Sequence, residues 1–446
     1  MPHHVVLVSL DALRADRLGC YGRTPSVTPV IDRLASEALL CSRALTPATW
    51  TVPAHISMLS GLDPLVHGCV SPLHRYPPEH LPFPLLFELL GGRGYAPLAI
   101  TGGGFMEAQF GFGRAVPDFR VVGPVREALA AAVEHAACHE RSFCFVHTYV
   151  VHDYPRVGSE PRRRQRADAR DPAYGGVFPR DRDFHALLTA LGTSADATRP
   201  GARDLAYLDE LYLASVALAD AALGELRGTL EAQDLWGETT LIVTSDHGES
   251  LGDEHDGRAF WSHGGPPYEE QARVPFIFRA APALGSPLTP GAVAETVSLL
   301  DLTPTLLELC GASVERAALD GRSLLDLRRG LVAEFETRLL YSHSCEDSSD
   351  RYLDERLYGS GVDWRGDGKL IFDARRGALR ELYWRDRDPR ERENRVDELS
   401  QPDLKLIDEQ IGAYFAGVAA RARHPEALPI EDPAVLERLA QLGYVE

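Results

Sequence analysis

The sequence predicts an α/β chain, with a large domain over residues 1–335 and a smaller α+β subdomain, built on an antiparallel sheet, over 336–446. Three observations carry that expectation. Several apolar runs show no alternation, as strands covered on both faces do: Val5 to Leu10, Tyr95 to Ile100, Ser142 to Val151 and Thr240 to Ser245. Two of these runs end in ligand-type side chains, Asp11 after the first and Asp246-His247 after the last. Open α/β sheets bind ligands at that end of their strands. From about residue 336 the texture changes to short strands at 338–342, 368–373 and 379–384, with polar turns and little helical patterning until 402–424.

Each element has its own local signature. After the first strand, Asp11 is either a ligand or the cap of a helix starting at Ala12. Thr28-Pro29 with Val30, Ile31, Leu34 and Ala35 predicts a helix, threonine as cap and proline in its first position. Thr49 to Leu59 reads as a loop entering a helix, with Pro53 near the first turn. That puts Thr51 at or just before a helix N-terminus, where the dipole favours an anion. The stretch Trp50-Thr51-Val52-Pro53-Ala54-His55 lies between the two acidic strand ends, and the chain is organised around it. Thr51 is a candidate metal-activated nucleophile; a plain helix cap is the simpler alternative.

Residues 81–90 predict an amphipathic helix, and Thr101-Gly102-Gly103-Gly104 a tight strand exit rather than a phosphate loop. An alanine-rich helix spans Val125 to His139, and the strand 142–151 carries His147 and leads into His152-Asp153-Tyr154-Pro155. Residues 156–203 are the least regular and form a variable insertion. Their basic run, Pro161-Arg162-Arg163-Arg164-Gln165-Arg166, reads as a solvated loop, or as a lid that selects anionic substrates. A long helix from Ala206 to Leu230 feeds the strand before Asp246. Gly248 then permits a sharp turn, and Asp253, Glu254, His255 and His263 lie beyond it. Residues 274–279 predict another strand and Thr296 to Leu309 a helix.

Composition narrows the function. At 446 residues, 44% hydrophobic and 25% charged, the chain is an ordinary globular one, too long for one small core. A formal net charge of −19 argues against a nucleic-acid partner, which needs a basic surface. It leaves room for a small anionic substrate, because a bound cation can reverse the field inside one cleft. No leader pattern precedes the first strand, and no apolar run approaches membrane-helix length, so no membrane partner is expected. The seven cysteines (20, 41, 69, 138, 144, 310, 345) fit no zinc spacing, and reduced thiols in the cytoplasm are the expectation. The oligomeric state has no signature in the sequence.

These motifs resemble those of the sulfatases, in the alkaline phosphatase superfamily. Ser9-Leu10-Asp11-Ala12-Leu13-Arg14-Ala15-Asp16-Arg17-Leu18-Gly19-Cys20-Tyr21-Gly22 is similar to the family's opening motif, and Thr51-Val52-Pro53-Ala54-His55 with Leu59-Ser60-Gly61 to its nucleophile block. Thr244-Ser245-Asp246-His247-Gly248-Glu249 with Leu251-Gly252-Asp253 resembles the second metal motif. Gly265-Pro266-Pro267-Tyr268-Glu269-Glu270, Gly321-Arg322-Ser323-Leu324-Leu325 and Glu381-Leu382-Tyr383 resemble later family segments, so only about 156–203 lacks a counterpart.

The resemblance implies a large, mixed, mostly parallel sheet sandwiched by helices, gathering Asp11, Thr51, Asp246 and His247 around one divalent cation. Manganese or zinc suits oxygen and imidazole donors; calcium is possible but less well served. Thr51 would attack phosphorus or sulfur and form a covalent ester that water cleaves. Where sulfatases carry Cys or Ser matured to formylglycine, followed by Arg, this chain has Thr51 and His55, and the second acidic residue of the opening motif is Ala12. The implied substrates are therefore phosphate mono- or diesters. The alternatives are a sulfuric ester hydrolase working without formylglycine, a transferase passing a phosphoryl or head group from Thr51 to an acceptor, and an inactive binding protein. His152 matches the family histidine that contacts the substrate anion, and His263 lies near its substrate-binding lysine. Both are assigned substrate binding and catalysis, and His55 substrate binding. His147 could join His152 and His263 in a second metal site.

Overall fold

Seven residues, His4–Leu10, form β1, and every one is buried. Alternate β1 side chains feed two separate cores. Val5 and Leu7 pack with residues of the helix Thr51–Ser60, whereas Val6, Val8 and Leu10 pack with the helices Val125–Ala137 and Ala202–Ala232. The sheet is thus sandwiched by helices, and the unbroken apolar run is the signature of its two covered faces. The computed structural model describes residues 3–72, 74–157, 161–193, 199–284, 288–312, 318–329, 340–343, 358–373 and 378–442.

The other strands of this sheet are β2 (Leu39–Leu45), β3 (Ala96–Thr101), β4 (Asp118–Val121), β5 (Ser142–Thr148), β6 (Thr239–Thr244), β7 (Arg273–Val274), β8 (Phe276–Arg279) and β9 (Gly291–Ser298). Their order is β9-β2-β8-β6-β1-β5-β3-β4, with β7 continuing β8 along β2. β1 pairs in parallel with β5 and β6 on either side, while β8 runs antiparallel to β6 and β2. The register sets Ser9 opposite His147 and Thr244, so the loops bearing Asp11, His152 and Asp246 leave the sheet at one end. The expected mixed, mostly parallel sheet is the one found.

A second, antiparallel sheet takes the order Leu340–His343, Tyr358–Trp364, Gly368–Asp373, Ala378–Trp384. Leu370, Phe372 and Leu382 pack there on Ile407 and Ile411 of the helix Gln401–Arg421. Ile371 and Tyr383 pack with Tyr268 of the larger unit, and buried Lys369 sits 2.7 Å from Glu391. Of the strand expected at 338–342, residues 338–339 lie outside the described residues, as does Cys345; Cys20, Cys69, Cys138, Cys144 and Cys310 are free thiols.

Three local expectations are corrected. Residues 296–298 end strand β9 and the helix starts only at Leu302, because β-branched Thr296 and Val297 suit the pairing with β2. The helix expected over 81–90 is confined to Leu86–Gly91; Pro82 and Pro84 cannot donate within a helix. The basic run is no solvated loop but part of the helix Pro161–Arg170, fastened to the long helix Ala202–Ala232. Arg163 is 4% exposed and donates to Ser215 Oγ and to the Arg156 and Val150 carbonyls. Among the described residues, no helix is long and apolar enough to cross a membrane.

Candidate active site

Asp11 caps no helix. Ala12 follows it at φ 60°, a left-handed conformation that costs a non-glycine residue roughly 1 kcal/mol. Hydrogen bonds hold that turn: Ala12 N donates to Asp246 Oδ1 (3.3 Å), Leu13 N to Ser245 Oγ (2.9 Å), and Tyr212 OH to Ala12 O (2.6 Å). The loops after β1 and β6 are further joined by Arg14, 2.6 Å from Asp253 and 2.9 Å from Asp16. Gly248 is needed where the chain passes Glu270, since a Cβ there would meet the Glu270 carbonyl oxygen at 1.9 Å.

These turns bring three donors together. Asp11 Oδ1, Asp246 Oδ2 and His247 Nε2 are fully buried, with His247 Nε2 3.2 Å from Asp246 Oδ2 and 3.9 Å from Asp11 Oδ1. Thr51 Oγ1 lies 3.4 Å from the same Nε2. Donors at about 2.1 Å from a tetrahedral ion would stand roughly 3.4 Å apart, so the spacing fits one cation. The residues also behave as if a cation were meant to sit among them. Among the described residues, Asp11 Oδ1 and Asp246 Oδ2 have no hydrogen-bond partner, which for buried carboxylate oxygens is costly unless a positive charge lies between them. Burial, and then repulsion from Asp246, push the Asp11 carboxyl well above the usual carboxylate range. Two ionised carboxylates are not tolerated here without a counter-charge.

A surrounding layer orients each donor. His247 Nδ1 donates to the Gly248 carbonyl at 2.8 Å, leaving the Nε2 lone pair to face the cluster. His147 Nε2 donates to Asp11 Oδ2 at 2.9 Å, and its Nδ1 accepts from Gly102 N at 3.4 Å. Burial holds His147 and His55 as neutral rings, with their pKa values pushed down to about 3. His55, expected among the substrate-contacting residues, lies beneath Thr51 instead. It is fully buried, its Nδ1 donates to Thr51 O (2.8 Å), and its Nε2 accepts from Ser9 Oγ (2.9 Å). Thr51 itself is the first residue of its helix, with Trp50 in the cap position, so a plain cap does not describe it.

Beyond the donors, His247 stacks on His263 (ring centroids 4.3 Å), and His263 meets His152 edge-on (5.3 Å). His263 Nδ1 donates to Glu249 Oε2 at 2.8 Å, and Tyr154 OH to Glu249 Oε1 at 3.1 Å. Burial opposes the His152 cation, but the carboxylates of Asp153, Asp11 and Glu249 outweigh it and raise its pKa to about 9. His147 stands with Asp11, not with His152 and His263, so the second cluster expected from the sequence does not form. His152 is joined by His185, from the helix His185–Thr193, at 5.9 Å between rings. Sequence reasoning misses His185 because nothing in an irregular segment marks one histidine as facing another more than thirty positions away. His152, Tyr154, His185, Glu249 and His263 line a small recess with Leu188, Thr189, Ser262 and Leu442. His255 and His67 are structural, bonded to Glu270 and Glu391 and to Ser57 and Cys69 respectively.

Residues 3–117 and 125–312 match the family model for sulfatases. PehA, a multifunctional alkaline phosphatase superfamily protein of Trinickia caryophylli, is 34% identical over 139 residues, 30% of this chain but only 25% of that protein. The steryl-sulfatase of Mus musculus is 27% identical over 434 residues, covering 77% of this chain and 68% of the relative. The crystal structure of the phosphonate monoester hydrolase of Agrobacterium radiobacter aligns with a TM-score of 0.66 at 18% identity, over 97% of this chain and 100% of that one. At that identity the likeness is one of fold.

Proposed function

The chain belongs to the sulfatase family, and on that premise we propose that it hydrolyses phosphate mono- or diesters through a covalent Thr51 intermediate. One observation carries the reading: a buried threonine hydroxyl at the start of a helix, 3.4 Å from His247 Nε2, beside two carboxylate oxygens that lack hydrogen-bond partners among the described residues. Asp11, Asp246, His247 and Thr51 would hold a divalent cation, manganese or zinc by the character of the donors. Such an ion lowers the pKa of a bound hydroxyl and draws charge from the substrate oxyanion.

The remaining steps belong to the chain's own side chains. Thr51 gives up its hydroxyl proton to solvent, its Oγ forms the new bond to phosphorus as the ester P–O bond breaks, and the leaving oxygen takes a proton. His263 is placed for that transfer, its ring fixed by Glu249 as general acids usually are. His152, with its raised pKa, brings positive charge to the substrate's anionic oxygens. Water then attacks the threonine ester, with His263 acting as base. His55 positions the nucleophile through the Thr51 carbonyl rather than touching substrate. A threonine ester cannot collapse by the elimination open to an aldehyde hydrate, so phosphate esters are preferred to sulfate esters.

The test is a panel of nitrophenyl phosphate, diester, phosphonate and sulfate substrates assayed with added manganese or zinc. Phosphate-type turnover, abolished in Thr51→Ala, is expected. Turnover that survives in Thr51→Ala removes the nucleophile, and a sulfate ester outrunning the rest favours the sulfuric ester reading.

A further inference from the structure

A second set of donors comes from the loop after β5 and from the helix His185–Thr193. His152, Asp153 and His185 each present an atom within 4.8 Å of the others, and His152 and His185 line the recess that also holds His263 and Glu249. Asp153 Oδ1 stands 3.9 Å from His152 Nδ1. Among the described residues, Asp153 Oδ1 and His185 Nε2 are buried atoms without a hydrogen-bond partner. The other Asp153 oxygen faces Arg156 Nη1 at 3.4 Å, and Arg156 is shared with Asp183 at 3.8 Å. The carboxylate is therefore held from behind, and its unpaired oxygen is turned toward the imidazoles.

We propose that His152, Asp153 and His185 form a second divalent-cation site, suited to zinc, whose remaining coordination positions open on the recess. Two imidazoles and one carboxylate with an open position are the donor set of a substrate-facing zinc site. Tetrahedral bonds of about 2.1 Å bring donors to roughly 3.4 Å apart, so the 4.8 Å cluster must contract by up to about 1.4 Å, a side-chain adjustment for His185 on its helix. An imidazole that ligates through Nδ1 keeps its proton on Nε2, so His152 remains a hydrogen-bond donor to substrate while bound. The positive charge that this wall presents to an anion is then the cation's. Because His185 belongs to the stretch 156–203, where the sequence carries none of the family's motifs, the second site would set which esters this chain accepts.

The inference does not depend on the reaction proposed above, and metal counting separates the two. The full chain is equilibrated by dialysis against zinc and the bound metal measured by mass spectrometry, with circular dichroism melting to check folding of each variant. Two equivalents are expected in the wild type, one in His185→Gln, one in Asp153→Asn and one in Asp246→Asn. The affinity of the second step should fall more than about tenfold in His185→Gln, the lower end of what even an outer-shell change costs a metal site. One equivalent in the wild type, lost in Asp246→Asn and untouched by His185→Gln or Asp153→Asn, overturns the second site and leaves the first. No bound metal in the wild type overturns both.

Discussion

Replacing His147 by phenylalanine tests whether the layer behind the metal donors does what the geometry says. The ring is fully buried and packs edge-on against His55 (5.1 Å) and Tyr149 (4.5 Å), so phenylalanine fills nearly the same space. The substitution removes two hydrogen bonds, from Nε2 to Asp11 Oδ2 at 2.9 Å and the longer one from Gly102 N to Nδ1 at 3.4 Å. Without metal, Asp11 can respond by protonating, because its pKa is already raised by burial and by Asp246. The apo protein should therefore lose only about 1–3 kcal/mol, the ordinary cost of an unmet buried acceptor. With metal bound Asp11 must be ionised and must point correctly, and losing such an orienting partner weakens binding about 10–100-fold, or about 1.4–2.8 kcal/mol. Competition with a chromogenic chelator measures the affinity, and urea unfolding with and without metal measures the two stabilities. An affinity within about threefold of wild type, alongside a normal loss of apo stability, would refute the orienting role.

Two more outcomes are expected from buried charges elsewhere. His55 and His147 are neutral in the folded state at pKa values near 3, against 6.5 unfolded, so the unfolded chain binds more protons between those limits. Their contribution to stability is present above about pH 6.5 and is lost as pH falls toward 3, with a limiting slope near about 1.4 kcal/mol per pH unit for each ring; a urea midpoint that does not drop between pH 7 and pH 5 would contradict it. Asp253→Asn breaks the pair that joins the β1 and β6 loops while leaving Arg14, 5% exposed, in place. Stability should fall by about 1.5–3 kcal/mol, the cost of hydrogen bonds to a charged group, because Arg14 keeps Asp16 at 2.9 Å, and calorimetry of the apo protein reads it.

How much of this is legible in the sequence depends on whether a feature is local. β1, β5 and β6 announce themselves as apolar runs, and Asp11, Asp246 and His247 as the polar residues that close two of those runs. Thr51 is marked by Pro53 and by the motifs on either side of it. β2 escapes notice because Leu39–Leu45 interrupts its apolar residues with Ser42 and Arg43, both only half-buried. The helix Pro161–Arg170 is mistaken for a loop because charge suggests solvent, whereas arginine and glutamine are good helix formers and Arg163 is anchored by partners far along the chain. Roles that depend on such distant partners, like those of His55, His147 and His185, are invisible for the same reason. A lone histidine in an apolar strand looks the same whether it fills space or fixes a metal ligand.

The central claim is that Thr51 carries the substrate's phosphoryl group. The direct measurement is an acid quench during turnover of a phosphate ester, followed by digestion and peptide mass spectrometry. The expected result is the mass of one phosphoryl group on the peptide that begins the helix Thr51–Ser60, localised to Thr51 and absent from Thr51→Ala. A phosphorylated histidine in its place, or rapid turnover with no labelled Thr51 at any quench time, would contradict it.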